Sequence, residues 1–384
     1  MTARIPLSVP TVGARERELL LEAFDSGWIA PAGPQLDAFE AAIRERTGRA
    51  RAVAVSSGSA ALHLALLVAG VRPGDRVVCP TLTFIATAGA IVHAGARPVL
   101  VDCDETGNLS PELLERALTE AEGRGEPIAA VLPVDLYGKV ADHARLGAIA
   151  AAHGAAYVVD AAESLGAARD GAPAGSHGPV AALSFNGNKI ATASSGGVLV
   201  TDDDALADRA RHLATQAREP VVHYEHLEVG FNYRLSNILA ALGLAQVERL
   251  DELMGARRAY RALYRAMCAD LDGVEILGGP DDGDNCWLTS IVVDPDTTGL
   301  TTAALREQLA VHDIEARPVF APMHGQPAFA DVPAEDRVLD GTADGLYATG
   351  LSLPSSPASS PADIAEVCDR IRDAVRTSTT GDRA

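Results

Sequence analysis

The chain lacks paired cysteines, long apolar runs and any excess of positive charge. Its five cysteines (Cys79, Cys103, Cys268, Cys286 and Cys368) are odd in number and widely scattered. They form neither a CxxC pair nor a disulfide framework, so buried free thiols are expected. No stretch approaches the ~20 unbroken apolar residues that span a bilayer. The segment AALHLALLVAG is apolar but short, and Gly70 with RPGD closes it. The N-terminal MTARIPLSVP carries no apolar core of signal length, and a soluble, cytoplasmic chain is the expectation. The formal net charge of -20 and pI of about 4.8 argue against nucleic acid, whose phosphates need a basic face. A nucleotide-triphosphate loop of the form GxxxxGK[ST] is missing as well. A small phosphorylated ligand is still admitted, because a few backbone amides can hold one phosphate locally. There is no internal repeat and no extended low-complexity segment.

What is present is a long alternation of strand and helix patterns. RAVAVS, DRVVCP, RPVLVDCD, IAAVLPVDLYG and AYVVDAAE read as strands, and GSAALHLALLVAG, TFIATAGAIVHAG, SPELLERALTEA and ARLGAIAAAHG as the helices between them. Ser110 can cap the third of these helices, with Pro111 at its first position. Such alternation means crossover connections and a largely parallel sheet. Short, continuously apolar strands suit a sheet covered on both faces. Two helical patterns, GARERELLLEAFDSG and APAGPQLDAFEAAIRERTG, precede the alternation, and VAALSFN and GGVLVTDD read as strands flanking a loop. The stretch from Leu235 to Leu271 reads as one long helix or two in succession. After DGVEILGGPDDGDN the pattern changes to a smaller α+β unit. The expected organisation is α/β: a large domain over 1–255 with a mostly parallel central sheet covered by helices, a smaller α+β domain over 256–375, and a disordered tail over 376–384.

Ligands of open parallel sheets sit beyond the carboxyl ends of the strands, and three informative places fall there. In VSSGSAALHLAL a strand gives way to Ser56-Ser57-Gly58-Ser59 and then a helix. Gly58 permits close backbone approach, and the amides of Gly58 and Ser59 open the helix, where an anion is favoured; an ordinary serine cap is the other reading. In AYVVDAAESLG, Asp160 ends a strand and Glu163 follows, as either helix cap or functional carboxylate. In SFNGNKIATASSGGVLV, Ser184 lies five residues before Lys189. Lys189 is either a solvated loop residue or an amine made nucleophilic by confinement.

Taken together the three fit one cofactor, pyridoxal 5′-phosphate. Gly58, Ser59 and Ser184 would take its phosphate, Lys189 would bond its aldehyde, and Asp160 would keep its ring nitrogen protonated. Phe84, in PTLTFIATAGA, is either a ring-stacking residue or core. His223 and His226 in HYEH lack the spacing of a helical zinc pair, so no metal is expected.

Across nearly its whole length the chain resembles the DegT/DnrJ family of nucleotide-sugar aminotransferases, fold type I pyridoxal-phosphate enzymes. The segments SGWIAPAGPQLDAFE, SSGSAALHLAL, PTLTFIATAGAI, VVDAAESLGA, SFNGNKIATASSGG, GFNYRLSN and RPVFAPMHGQPAF occur in the family's order. The related dehydratase branch has histidine where this chain has Lys189, which favours transamination. Ser59 replaces the usual threonine and keeps the hydroxyl. The resemblance implies a homodimer with shared active sites, in which Asn232 of GFNYR reaches the neighbour's cofactor phosphate. Glu163 is expected to order either the cofactor edge or a substrate group, and Trp28, His223, Arg234, Arg317 and His324 are expected to face the substrate. Read from the residues alone, Asn232 is equally a loop cap, and Arg317 and His324 equally surface or packing residues. The wording around QAREPVVHYEHLEVGFNYRLSN looks most like the bacillosamine branch. There L-glutamate would supply the amino group to C4 of UDP-4-keto-6-deoxy-N-acetylglucosamine. The same chemistry on a 3-keto, GDP-linked or dTDP-linked sugar is the nearest alternative, and a non-catalytic cofactor-binding regulator the alternative from another class.

Overall fold

The alternation becomes one eight-stranded sheet with helices on both faces. A computed structural model describes residues 4–280 and 282–381. Two helices come first, α1 (Ala14–Asp25) and α2 (Pro34–Thr47), the latter ended by Gly48 in the left-handed region (φ 69°). Then β1 (Arg51–Val55), β2 (Arg76–Pro80), β3 (Arg97–Val101), β4 (Ala130–Val131) and β5 (Ala156–Asp160) are joined through α3 (Gly58–Val68), α4 (Ile85–His93), α5 (Pro111–Gly123) and α6 (His143–Ala152). A two-stranded hairpin, β6 (Ala168–Arg169) with β7 (Ala172–Pro173), precedes β8 (Val180–Ser184) and β9 (Gly197–Thr201), and α7 (Asp204–Ala214) follows. The spatial order is β1-β9-β8-β5-β4-β2-β3-β13, the last being a two-residue strand, Arg337–Val338. Only β9 runs against its neighbours, because β8 and β9 are the two arms that flank the Lys189 loop.

Local chemistry starts the helices where the sequence suggested. Ser57 accepts from the Ala60 amide at the head of α3, and Ser110 from the Leu113 amide at the head of α5, with Pro111 next. Along α3, Leu62, Leu64 and Leu66 are essentially inaccessible, each burial stabilising the fold by about 1.5–3 kcal/mol. The strand expected from IAAVLPVDLYG is only two residues long. Pro133 has no N–H for the ladder, and Tyr137 then turns into the left-handed region at φ 54°. Four of the five cysteines are buried and the fifth, Cys268, half-buried; all are free thiols.

The stretch read as one or two helices is two, α8 (Asn237–Glu248) and α9 (Leu250–Ala269), broken at Arg249. The smaller unit is an antiparallel sheet in the order β10-β11-β14-β12. Its strands are β10 (Val274–Ile276), β11 (Thr289–Val293), β12 (Arg317–Pro318) and β14 (Gly350–Leu353). Its helices are α10 (Pro295–Thr298), α11 (Thr302–Val311), α12 (Thr342–Thr349) and α13 (Pro361–Gly381). The division expected at 255/256 falls inside α9, which crosses from one core to the other: Leu250 and Met254 pack in the large core, Tyr260, Tyr264 and Met267 in the small one. Two other segments cross as well. β13 (Arg337–Val338) returns to pair with β3, and Ile5 pairs with Ile314. α13 continues to Gly381, into the stretch expected to be disordered, since no glycine or proline interrupts it after Pro361. Residues 382–384 lie outside the described residues. Among the described residues no helix is long and apolar enough to cross a membrane.

Candidate active site

The carboxyl ends of β1, β2, β5 and β8 converge on one cavity of about 220 Å³. Seven residues singled out in the sequence line it: Gly58, Ser59, Phe84, Asp160, Glu163, Ser184 and Lys189. A second cavity of about 260 Å³ shares Phe84, Glu163 and Lys189 with the first and adds Tyr137, Trp287, Phe320 and Arg317. Lys189 therefore stands where the two meet.

Each side chain is held in place by its neighbours. Gly58 opens α3 against the end of β8, and a Cβ there would come within 2.8 Å of Ser184 Cβ. That closeness puts the first amides of α3 beside the Ser59 and Ser184 hydroxyls, a donor set suited to a phosphate. Asp160 is 3% exposed. Thr87 Oγ1 donates to its Oδ2 at 2.7 Å, and the Ala162 amide to its Oδ1 at 3.1 Å. Burial dominates these bonds and pushes the carboxyl up to about 6. A cationic ring nitrogen placed beside it would favour the ionised form.

Lys189 Nζ donates to Glu163 Oε1 at 3.0 Å, and the Tyr137 amide donates to Glu163 Oε2 at 2.8 Å. The Glu163 carboxylate is 4% exposed and the Lys189 side chain 11%. The solvated-loop reading of Lys189 is thus replaced by a confined amine paired with a buried acid. Phe84 is half exposed, with its ring 5.7 Å from that of Phe320, so it walls the cavity mouth and is not core.

Other expected residues are not brought to the first cavity. Arg317 lines the second, and Glu315 accepts from its guanidinium at 3.0 and 2.7 Å. Arg234 turns away from both cavities. Its Nη1 donates to Glu40 Oε1 at 2.9 Å and to the Ala54 carbonyl at 2.8 Å, while Arg211 pairs with Glu40 Oε2 at 2.8 Å. Burial acts to raise the Glu40 carboxyl, but the two guanidiniums outweigh it and hold it below its ordinary range. In this chain Arg234 therefore pins the GFNYR loop to β1. His324 is taken up by Thr81 Oγ1 at 2.8 Å and Asp344 at 3.1 Å. His223 faces Glu225 at 3.1 Å on an exposed loop. Trp28 and Asn232 are exposed and line neither cavity. Among the described residues no group of three or more His, Cys, Asp or Glu could hold a metal ion.

Sequence reading missed Thr87, Tyr137, Trp287 and Phe320. Thr87 carried a signal, lying three residues after Phe84 in the first turn of α4. Tyr137 comes from β4's irregular exit and Trp287 from the small unit, with no local pattern to mark them, whereas Phe320 stands within RPVFAPMHGQPAF, between Arg317 and His324.

This sheet, with a lysine and a buried acid at its strand ends, defines a fold type I pyridoxal-phosphate enzyme. Comparison with known proteins gives the same class. EpsN of Bacillus subtilis (strain 168), provisionally named a pyridoxal phosphate-dependent aminotransferase, is 44% identical over 358 residues, 92% of each chain. GDP-perosamine synthase of Caulobacter vibrioides is 37% identical over 371 residues, 95% of this chain and 96% of that one. The crystal structure of DesI in the presence of its TDP-sugar product superposes with a TM-score of 0.89 at 31% identity, covering 100% of this chain and 96% of that one. The profile of the DegT/DnrJ/EryC1/StrS aminotransferase family matches residues 10–372, and the chain belongs to that family. It is a pyridoxal-phosphate-dependent nucleotide-sugar aminotransferase.

Proposed function

We propose that the protein transfers an amino group from L-glutamate to C4 of a nucleotide-linked 4-keto-6-deoxy sugar, with UDP-4-keto-6-deoxy-N-acetylglucosamine as the preferred substrate. The observation that carries the chemistry is Lys189 Nζ held by Glu163 at the junction of two cavities. The amides of Gly58 and Ser59 and the hydroxyls of Ser59 and Ser184 would hold the cofactor phosphate, and Asp160 the ring nitrogen. Bound there, pyridoxal phosphate supplies an electron-accepting ring and carries the amino group between donor and acceptor. Lys189 Nζ takes the proton from the donor's α-carbon and later returns one at sugar C4. Glu163 fixes the amine while it is free, and the aromatic walls of the second cavity exclude water from it.

The proposed assembly is a homodimer in which Asn232 completes the partner's phosphate site. In its support, the loop carrying Val222, Tyr224, Leu227 and Val229 presents these side chains almost fully exposed, and Trp28 and Ile29 are also open. Apolar patches of this kind mark association surfaces. A GDP-linked sugar is the second reading, favoured by the relatives named GDP-perosamine synthase at 37% and 34% identity. Mass spectrometry of the product formed from L-glutamate and each keto sugar separates them. The proposal expects a gain of one amino group on the UDP sugar, and no product from it alongside product from the GDP sugar would reverse the order.

A further inference from the structure

Trp287 holds Lys189 at both ends. Its indole Nε1 donates to the carbonyl of Asn188 at 2.7 Å, fixing the peptide unit that leads into the lysine. Its ring lies under the other end, with Lys189 Nζ 4.1 Å from the ring centroid. The Asn188 carbonyl accepts a second bond, from Ser8 Oγ at 2.9 Å, so the N-terminal segment and the small unit clamp the same oxygen. Trp287 is itself fixed. Its amide donates to Asn285 Oδ1 at 2.8 Å, and Arg257 donates to its carbonyl at 2.7 Å. Asn285 Nδ2 in turn donates to the carbonyls of Glu163 and Leu165 at 2.9 and 3.0 Å. The indole is 2% exposed. One short segment, Asn285 to Trp287, thus braces both the lysine and the acid that pairs with it.

We propose that Trp287 is the positioning residue for Lys189: its ring face is the resting place of the lysine amine whenever that amine is free, and its N–H sets the backbone from which the amine swings. The proposal rests on Lys189 being the reactive amine. An ammonium is attracted to an indole face by the ring quadrupole. A carboxylate alone leaves a long, flexible lysine several rotamers at one distance. The ring and Glu163 together define a single position, and a misplacement of about 1 Å costs on the order of a hundredfold in rate.

The chain has two lysines, Lys139 and Lys189, so protein grown with ε-13C lysine gives two ε-methylene signals. In the cofactor-free protein the Lys189 signal should be displaced by the indole ring current. Trp287→Leu should remove the displacement, Trp287→Phe should keep part of it, and the Lys139 signal should stay put in both. In the loaded enzyme, Trp287→Leu should lower kcat about tenfold to a hundredfold, with smaller changes in KM for glutamate and sugar. Trp287→Phe, which keeps a ring face but has no N–H for the Asn188 carbonyl, should recover only part of that loss. An undisplaced Lys189 signal, a displacement that survives Trp287→Leu, or a loss confined to KM would overturn the proposal. Failure of the underlying reading looks different: the displacement is present but Lys189→Ala still turns over.

Discussion

Replacing Asp160 by asparagine separates what this residue costs the fold from what it gives the chemistry. The carboxyl is buried, and burial lifts it from an ordinary 3.8 to about 6, with Glu163 adding repulsion and Lys189 some attraction. A raised carboxyl makes the folded state bind its proton longer than the unfolded chain does. Its stability contribution is therefore intact below about pH 4 and is lost as pH rises through 6. At roughly 1.4 kcal/mol per unit the whole loss is roughly 3 kcal/mol. Asparagine keeps the site satisfied. Its carbonyl can accept from the Ala162 amide, its NH2 can donate to Thr87 Oγ1, and that hydroxyl can donate instead to Thr83 Oγ1, 2.8 Å away. The assay is urea unfolding of the cofactor-free protein at matched concentration, across about pH 4.5 to 7.5. Asp160→Asn should gain on the parent as pH rises, by roughly 2 kcal/mol over that range. With cofactor and substrates, the same variant should lose at least about a hundredfold in kcat, because a neutral amide cannot stabilise a cationic ring nitrogen. A stability difference that does not change with pH would refute the burial argument, and full activity would refute the role.

Three further outcomes are expected. Gly58→Ala places a methyl within 2.8 Å of Ser184 Cβ, so the cradle must open; spectral titration should show cofactor affinity down at least about tenfold. Glu40→Gln strips a buried carboxylate from between Arg211 and Arg234 and should cost about 3–5 kcal/mol in denaturant unfolding. Lys189→Ala and Asn232→Ala should each be nearly inactive alone. If sites are shared, unfolding and refolding them together should restore up to about one quarter of parental activity, because only one site in each mixed dimer is intact.

Much of the site was legible because strand ends announce themselves. Asp160 ends an apolar run, Ser57 and Ser110 sit at helix starts, and the Lys189 loop separates two apolar strands, so their topology follows from alternation alone. Residues that meet through long loops were not legible. Trp287 touches Asn188 across 99 positions, and Tyr137 receives the Phe320 amide across 183. Arg234 shows the converse. Its loop motif suggested a ligand, yet Glu40, 194 positions earlier, supplies a buried partner that local sequence cannot reveal. The division between the two units has a similar limit: α9 has continuous helical periodicity, and only packing shows that its halves, up to Met254 and from Tyr260, serve different cores.

The identity of the reactive amine is tested most directly by borohydride reduction of the cofactor-loaded protein, followed by digestion and peptide mapping. Lys139 is the internal control, since its Nζ is already engaged by the Pro280 carbonyl at 2.6 Å and Asp284 at 3.1 Å. The reduced cofactor should be found on the peptide containing Lys189 and nowhere else. An adduct on Lys139, or no adduct at all, would contradict the assignment on which the chemistry stands.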